Sequence, residues 1–328
     1  MGNCLVTKLK ANVQNGSLIG LGEVKIGVSP TVASELYLNP NTGESITVKT
    51  SDGIAHIKKN AGDNYSNSLD YSHNASYWNN HVICEPGNYS IIITNKYSLE
   101  EVYFKDLALN INDLEYSNIN KFTFNSYELS GNKLNKNNLE EFSIINGNFN
   151  IANIENAPIL KTVHFGAGVY GNTSVFSTIS TLNMSNIDLS NSSIEGDITH
   201  LNSLSGIENI GFIINDSTIH TEKITGDLSA MATTLKGLNV YNKPTKFTWL
   251  GTRSSSAFAI SMKGCVLGDY ADAMLKNQAQ CDLAHPISVY DKLIDVYGTH
   301  NPEDADAVAA IATIKAAGWT VKINGVTM

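Results

Sequence analysis

The stretch that decides the fold opens with LEEVYF at Leu99–Phe104, INKFTF at Ile119–Phe124 and LEEFSI at Leu139–Ile144. The same phrase returns as LKTVHF at Leu160–Phe165, ISTLNM at Ile179–Met184, IENIGF at Ile207–Phe212 and LKGLNV at Leu235–Val240. In every copy an apolar residue is followed three and five positions later by two further apolar residues. Segments of this kind alternate between an inward and an outward face, as short β-strands do.

The spacing of the phrase predicts a repeat architecture. Its central apolar position is occupied by Val102, Phe122, Phe142, Val163, Leu182, Ile210 and Leu238, so the intervals are 20, 20, 21, 19, 28 and 28 residues. A repeat of this length cannot bury its apolar face alone and must stack on its neighbours. We therefore predict a mainly β protein (α+β overall) with a parallel solenoid at residues 99–243.

The flanking regions differ from the repeats in composition and periodicity. Residues 1–98 predict an N-terminal β module, with strands within Leu18–Val28, Ile46–Ile57 and Tyr89–Thr94. Between them, Lys58–Asn80 is rich in Asn, Ser and Tyr, which is typical of a long loop.

Residues 244–328 predict a C-terminal α/β cap that covers the open end of the solenoid. Helical patterns are found at Asp269–Gln280, at Ser288–Tyr297 and from Asn301 to Gly318, and Trp319–Asn324 alternates as a strand does. Phe247–Leu250 and Ala257–Met262 indicate further strands of the repeat type.

Composition excludes some classes of function. The formal net charge is −9, and Arg253 is the single arginine of the chain. Because phosphate and base recognition depends on clustered basic side chains, a nucleic-acid partner is not expected. The chain has no run of 18 apolar residues, so membrane insertion is not expected either. The first residues lack the apolar core of a secretory signal.

Cysteine and histidine spacing predicts no zinc site. Cys4, Cys84, Cys265 and Cys281 are widely separated, which favours buried free thiols, although pairing of Cys265 with Cys281 stays open. His73, His81 and Cys84 are close in sequence but lack the spacing of metal ligands. We expect neither metal nor cofactor.

Two aspartates are the sharpest chemical candidates. Asp197 in IEGDITHL and Asp227 in ITGDLSAM occupy the same place in a shared phrase. On successive repeats they would lie about 5–6 Å apart, the carboxylate separation of a retaining glycosidase. The context Gly-Asp-apolar is also typical of an N-cap at a helical turn, which is the interpretation we favour. No catalytic residue is therefore assigned.

Aromatic residues in the N-terminal region are candidate partner contacts. Amphipathic aromatic side chains are common at protein interfaces. The set consists of Tyr65, Tyr71, Tyr77 and Trp78.

Longer segments carry a family resemblance. They are MGNCLVTKLK at 1–10, GNYSIIITNKYSLEEVYF at 87–104, the GDIT and GDLS repeats, CVLGDYADAMLKNQAQCD at 265–282 and GWTVKINGV at 318–326. Together they resemble the leucine-rich-repeat-type proteins of crAss-like bacteriophages and their Bacteroidetes hosts. The resemblance covers most of the chain and is loose in the middle, where the repeats are irregular.

The resemblance implies a non-enzymatic virion structural protein, such as a head fibre or another appendage that contacts host or glycan. It implies a dimer or trimer and attachment to other virion proteins through residues 1–98. The absence of a signal peptide favours a virion over a host protein. A bacterial cell-surface adhesin or glycan-binding protein is the alternative, and a polysaccharide-degrading spike is a further one.

Overall fold

A computed structural model gives the protein as mainly β, in two compact units, Met1–Asn135 and Lys136–Met328. The structure describes residues 12–328 except 15–16, 20–22, 29–30, 32–33, 41–44, 50–53, 60–64, 70–74, 79–80, 85–89, 95–96, 98, 116, 126–127, 132–135, 155–156, 179–183, 205, 214–223, 243–244, 285–291, 298–301 and 303. Side chains between residues 45 and 83 lie outside the described part.

The first unit is built from short strands in mixed sheets. One sheet has the order β14-β12-β3-β10-β5-β6-β7, and a second set of paired strands runs β13-β11-β4-β9-β8. The strands are β1 Asn12–Gln14, β2 Ser17–Ile19, β3 Val24–Val28, β4 Ser34–Pro40, β5 Ser45–Lys49, β6 Ile54–Lys59, β7 Tyr65–Leu69, β8 Ala75–Trp78, β9 His81–Cys84, β10 Ser90–Thr94, β11 Leu99–Lys105, β12 Leu107–Asn110, β13 Lys121–Asn125 and β14 Glu128–Ser130.

The first two repeat phrases belong to this unit. Val102 pairs with Phe122 and Phe104 with Phe124 in parallel β11 and β13, as the phrase predicts. However, β11 also pairs antiparallel with β4, and β12 with β3. The units divide after Asn135, whereas the sequence placed a boundary after residue 98, because these pairings join the first repeats to the N-terminal sheets.

The prediction of a long loop at Lys58–Asn80 is wrong. That segment contains β7 and β8, and β6 ends within it at Lys59. β7 pairs antiparallel with β6, and β8 with β9. Asn and Ser are poor strand formers by propensity, but pairing with a neighbouring strand overrides that preference.

The second unit contains two sets of parallel strands. Its strands are β15 Glu141–Asn150, β16 Thr162–Asn172, β17 Asn186–Asp188, β18 Ser193–Asp197, β19 Asn209–Ile213, β20 Ile224–Asp227, β21 Gly237–Tyr241, β22 Thr245–Thr248, β23 Ala259–Val266, β24 Leu293–Tyr297, β25 Thr320–Ile323 and β26 Val326–Thr327. The longer set, which we call the main ladder, runs β15-β16-β17-β19-β21-β23-β24-β25 and is parallel throughout.

The main ladder stacks one apolar residue of each strand in register, and all of them are buried. The column consists of Phe142, Val163, Ile187, Ile210, Leu238, Ile260, Ile294 and Val321. A second buried column lies two residues later; its Phe165 ring meets the Phe142 ring of the first column edge to face at 5.5 Å. Burial of these columns is the main favourable contribution to folding.

The sequence pattern predicted the wrong strand for one repeat. It predicted Leu182 in the column, but Val163 pairs with Ile187, and Ile187 with Ile210. Leu182 itself lies outside the described residues. ISTLNM and the following SNIDL share the same apolar alternation, so the pattern alone cannot choose between them. The polar contacts of Asn186 and Asp188, which flank Ile187 and are described below, favour the later segment.

A shorter set of strands, which we call the side ladder, pairs β16 with β18, β18 with β20, and β20 with β22. One-turn or two-turn 3-10 helices follow these strands, at Thr173–Thr178, Ile198–Ser203 and Leu228–Ala230. The repeats that begin with β17 and β19 therefore each contain a main strand, a side strand and a helical turn.

The C-terminal region has two α-helices, α1 Ala271–Gln278 and α2 Ala305–Ala316. They confirm two of the three predicted helices, although Asp304 rather than Asn301 caps α2. The helix predicted at Ser288–Tyr297 is wrong, because Leu293–Tyr297 is strand β24. Its Ile294 is buried between Ile260 and Val321, and this packing outweighs the local helical pattern.

Ile210→Ala should destabilise the second unit by about 2–5 kcal/mol, because it leaves a cavity in the middle of the buried column. Urea unfolding followed by circular dichroism measures the loss, and amide hydrogen exchange locates it. Thr162→Ala, on the outward face, should change stability by less than about 0.5 kcal/mol. Loss of protection confined to β19, with β17 and β21 unaffected, would contradict stacking as the source of stability.

Candidate functional site

Three of the four candidate partner-contact aromatics lie in strands of the first unit. Tyr65 begins β7 and pairs with Lys59, while Tyr77 and Trp78 end β8 and pair with Val82 and His81. Their side chains, and Tyr71 altogether, lie outside the described residues. Their role in partner contact therefore stays a prediction.

Cys84 is unsuited to chemistry. Its side chain is fully buried in the first unit, and burial raises the pKa of its thiol to about 12. A thiol with so high a pKa forms little of the thiolate that acts as nucleophile or metal ligand. Of its sequence neighbours, His73 and the side chain of His81 lie outside the described part.

Asp197 and Asp227 are N-caps, as the sequence predicts. The Asp197 carboxylate accepts from the backbone N–H of Thr199 at 2.8 Å, and that of Asp227 from the N–H of Ser229 at 3.0 Å. Each also accepts from the hydroxyl of the same residue. They do not face each other across the side ladder, because Asp197 pairs with Thr225.

Two N-caps, Asp197 and Asn172, are each covered by a glycine from the following repeat. Gly226 has φ +121°, and a Cβ there would overlap the Asp197 carboxylate; Gly196, at φ +118°, lies in the same way against Asn172 and Thr173. Asn172 is itself a cap, accepting from the N–H of Ser174 at 2.9 Å. The glycine before each aspartate is visible in the sequence, whereas this contact between repeats is not.

Arg253 holds the end of the side ladder together and is not a binding group. It is 4% exposed, and its guanidinium donates to the carbonyls of Met231, Ala232 and Ser256 at 2.6, 2.8 and 3.0 Å. The same group lies 4.9 Å from the centre of the Phe258 ring. These contacts satisfy a buried charge with carbonyl dipoles and an aromatic face.

Titratable and polar side chains lie side by side on the outward face of the main ladder. Between the two buried columns, one residue of each strand from β16 to β25 points away from the core, and the register places these residues side by side. We call this set the outer column; it consists of His164, Asp188, Gly211, Asn239, Ser261, Asp295 and Lys322.

At one end of the outer column His164 and Asp188 form a pair. His164 Nδ1 lies 2.8 Å from Asp188 Oδ2, while Asp188 Oδ1 accepts from the N–H and hydroxyl of Ser190. Burial would raise the pKa of Asp188, but the hydrogen bonds from His164 and Ser190, together with the imidazole charge, outweigh it and lower the pKa. Both side chains of the pair are more than a third exposed.

Next to this pair, amides continue the polar face. Asn209 Nδ2 donates to Asn186 Oδ1 at 2.7 Å across β17 and β19. This is an amide ladder between parallel strands, and together with the His164–Asp188 pair it fits β17 as the partner of β16.

At the other end of the outer column Asp295 is 9% exposed, and no hydrogen-bond partner for its buried Oδ1 is found among the described residues. Burial raises the pKa of Asp295, and the positive charges of Lys322 and Lys263 offset this only in part. An unpaired buried carboxylate oxygen of this kind costs stability.

Cys265 and Cys281 are free and buried, so the pairing left open by the sequence is not formed. Cys281 Sγ lies 3.4 Å from the carbonyl oxygens of Arg253 and Asn277, within the structure around Arg253. Burial raises the pKa of the Cys281 thiol despite the nearby Arg253 charge.

Among the described residues, three His, Cys, Asp or Glu side chains are nowhere close enough to hold a metal ion. The longest helix of that part is α2, with 12 residues, and no helix there has the length and hydrophobicity of a membrane span.

Comparisons with protein-family models, with curated proteins and with solved structures give no match to this chain.

Gly226→Ala should cost on the order of 2–3 kcal/mol, because it forces a side chain into a strained φ and against the Asp197 carboxylate. Gly268→Ala is the matched control, since Gly268 also has positive φ but open space around it. Shortening the cap in Asp197→Ser/Gly226→Ala should recover part of the loss while keeping a cap acceptor. Thermal unfolding in which the two single glycine variants behave alike, with no recovery in the double variant, would contradict the proposed contact.

The two aspartates of the outer column should respond to pH with opposite sign. Asp295, with its raised pKa, is costly when ionised, so Asp295→Asn should stabilise the fold by about 1 kcal/mol at pH 7. The gain should fade as the pH drops towards the unfolded-state pKa of about 3.9.

Asp188 has a lowered pKa, so its charge stabilises the fold at pH values above its unfolded-state pKa. Asp188→Asn should therefore destabilise the fold by less than about 1 kcal/mol at pH 7 and have no effect in acid. Urea unfolding from pH 3 to pH 8 tests both, and shifts of the same sign would contradict the assignment.

Proposed function

We propose that this chain is a non-enzymatic structural protein of a bacteriophage virion. In this proposal it forms a head fibre or another surface appendage that displays its repeats for contact with the host or a glycan. The observation that carries it is the main ladder, in which the same two positions of successive strands are buried and the position between them faces outward. Such a face grows by one strand per repeat and suits display.

The finer architecture is part of the proposal. The main ladder, the side ladder and the helical turns would be the three sides of a leucine-rich-repeat-like solenoid, with about 4.8 Å between successive strands. α1, α2 and β25 would close its C-terminal end as a helical cap. A cap is needed because an open parallel ladder offers unpaired backbone groups to other chains.

The first unit would attach the protein to the virion. Its many short strands have edges that self-association or another virion protein would cover, and a dimer or trimer is the expected assembly. Tyr65, Tyr71, Tyr77 and Trp78 remain the proposed contacts.

A structural role agrees with what the strongest catalytic candidates do. Asp197 and Asp227 each use Oδ1 to accept from a backbone N–H group and a hydroxyl of their own turn. Asp227 also accepts from the N–H of Leu250 in the following repeat, at 3.1 Å. Carboxylates bonded in this way stabilise turns and do not form the opposed pair of a glycosidase.

The location of the protein is the direct test. Mass spectrometry of virions purified through a density gradient should find the chain in fixed ratio to the capsid protein, and gold-labelled antibody should mark one virion substructure. The control is a lysate of uninfected host cells treated in parallel. Recovery from the surface of uninfected cells would replace the proposal with the adhesin, and shortening of capsular polysaccharide by the purified chain would replace it with the degrading spike.

A further inference from the structure

Helix α2 has apolar residues on two opposite faces. One face is buried against α1 and β25 and consists of Ala307, Ala310, Ile311 and Ile314. The other face, which we call the α2 outer face, is exposed and consists of Ala305, Val308, Ala309, Ala312 and Ala316. A surface helix ordinarily presents polar and charged residues on its solvent side. The packing of one chain therefore explains the inner face of α2 and leaves the outer face unexplained.

The α2 outer face is suited to contact with a second helix. Val308 is its largest side chain and is 52% exposed. The alanines beside Val308 permit a close approach, at an interaxial distance of about 8 Å. Single exposed apolar residues are common on protein surfaces, whereas an apolar face that runs along a whole helix is typical of an interaction site.

The charges at the two ends of α2 indicate which helix this is. Asp304 caps the helix, and Lys315 lies in its last turn. The two residues are separated by about three helical turns, so they project from the same flank of α2 at opposite ends. When two copies of a helix pair antiparallel about a two-fold axis, each flank meets the same flank of the other copy, and each end meets the opposite end. Asp304 of each copy therefore meets Lys315 of the other.

Both side chains can make this contact and keep the bonds they already have. Asp304 Oδ2 accepts from Lys276 at 2.6 Å and Oδ1 from the backbone N–H of Asp306 at 2.8 Å, while the Asp304 side chain is still 39% exposed. An ionised carboxylate has lone pairs for further donors. Lys315 donates to the carbonyl of Met328, and its ammonium group has further N–H donors for a second acceptor.

We propose that the α2 outer face binds the same face of a second copy of this chain, with the two helices antiparallel about a two-fold axis. Val308 and the alanines form the apolar centre, and ion pairs between Asp304 and Lys315 close both ends. A helix of this length spans about 18 Å, so the interface is small and the dimer is weak and concentration-dependent. The inference does not rest on the proposed function, and the contact adds to any assembly formed through the first unit.

Sedimentation velocity of the purified full chain over a range of concentrations tests the pairing. The wild type should show a concentration-dependent association step. Val308→Lys should weaken that step by about tenfold or more, because it brings like charges together at the apolar centre. Leu250→Lys is the matched control, since Leu250 is an apolar residue of the second unit that is 69% exposed and lies outside the α2 outer face. This control should associate as the wild type does.

A double-mutant cycle tests the antiparallel arrangement. Lys315→Glu opposes two carboxylates across the interface and should weaken association by about tenfold. Asp304→Asn removes one of those charges and keeps an N-cap acceptor, so in that background Lys315→Glu should weaken association by only about twofold. Within one copy the two residues are about 16 Å apart along the helix, which exceeds the Debye length at physiological salt. Coupling between them therefore arises across the two-fold axis. Lys276→Gln removes only the ion pair within the chain and should leave association unchanged.

The proposal is wrong if the wild type shows no association at any concentration. It is also wrong if Val308→Lys and Leu250→Lys associate alike, a result that would assign the assembly to another surface such as the strand edges of the first unit. Additive effects of Lys315→Glu and Asp304→Asn would exclude the antiparallel pair. Circular dichroism of each variant checks that the fold is kept. Because sedimentation uses the isolated chain and the localisation uses virions, each proposal can fail without the other.

Discussion

Stacking of the repeats in the second unit meets one steric constraint, which is that a helical turn can stack only on a neighbour that leaves room for its cap. The Asp197 carboxylate occupies the space where any side chain at Gly226 would stand, and Asn172 does the same to Gly196. The cap oxygen satisfies its own turn, while the glycine of the next repeat covers it. A local requirement, an N-cap, thereby becomes a contact between repeats that sets the register of the side ladder.

Beyond the last of these caps, Arg253 provides the hydrogen bonds that hold the turn in place. The carbonyls of Met231 and Ala232 follow the 3-10 turn Leu228–Ala230, and the guanidinium donates to both. Its backbone N–H and carbonyl bond the Asn277 side chain at 2.7 and 3.0 Å, which connects the turn to α1. A lysine has one ammonium and could not reproduce this planar set of donors. The single arginine of the chain is therefore a structural residue in a protein otherwise poor in charge.

The predictable part of the fold is the part governed by local apolar alternation. The pairing of Ile210 with Leu238, the caps at Asp197 and Asp227, and α1 all follow from sequence patterns. Errors arose where two segments satisfy the same pattern, as with Leu182 and Ile187, or where tertiary burial overrides a helical pattern, as in β24. The candidate site depends on register across strands 20 to 40 residues apart. Histidine at 164 and aspartate at 188 have no visible relation until Ile187 is known to pair with Val163.

The two ends of the outer column show why burial and hydrogen bonding must be considered together in judging a carboxylate. Asp188 is exposed enough to be hydrated and still accepts from His164 and Ser190, so its charge is stabilising. Asp295 is more deeply buried, and its sealed oxygen has no such partner within the described residues. Both residues occupy the same position of the repeat, so the architecture does not require a costly charge at one of them.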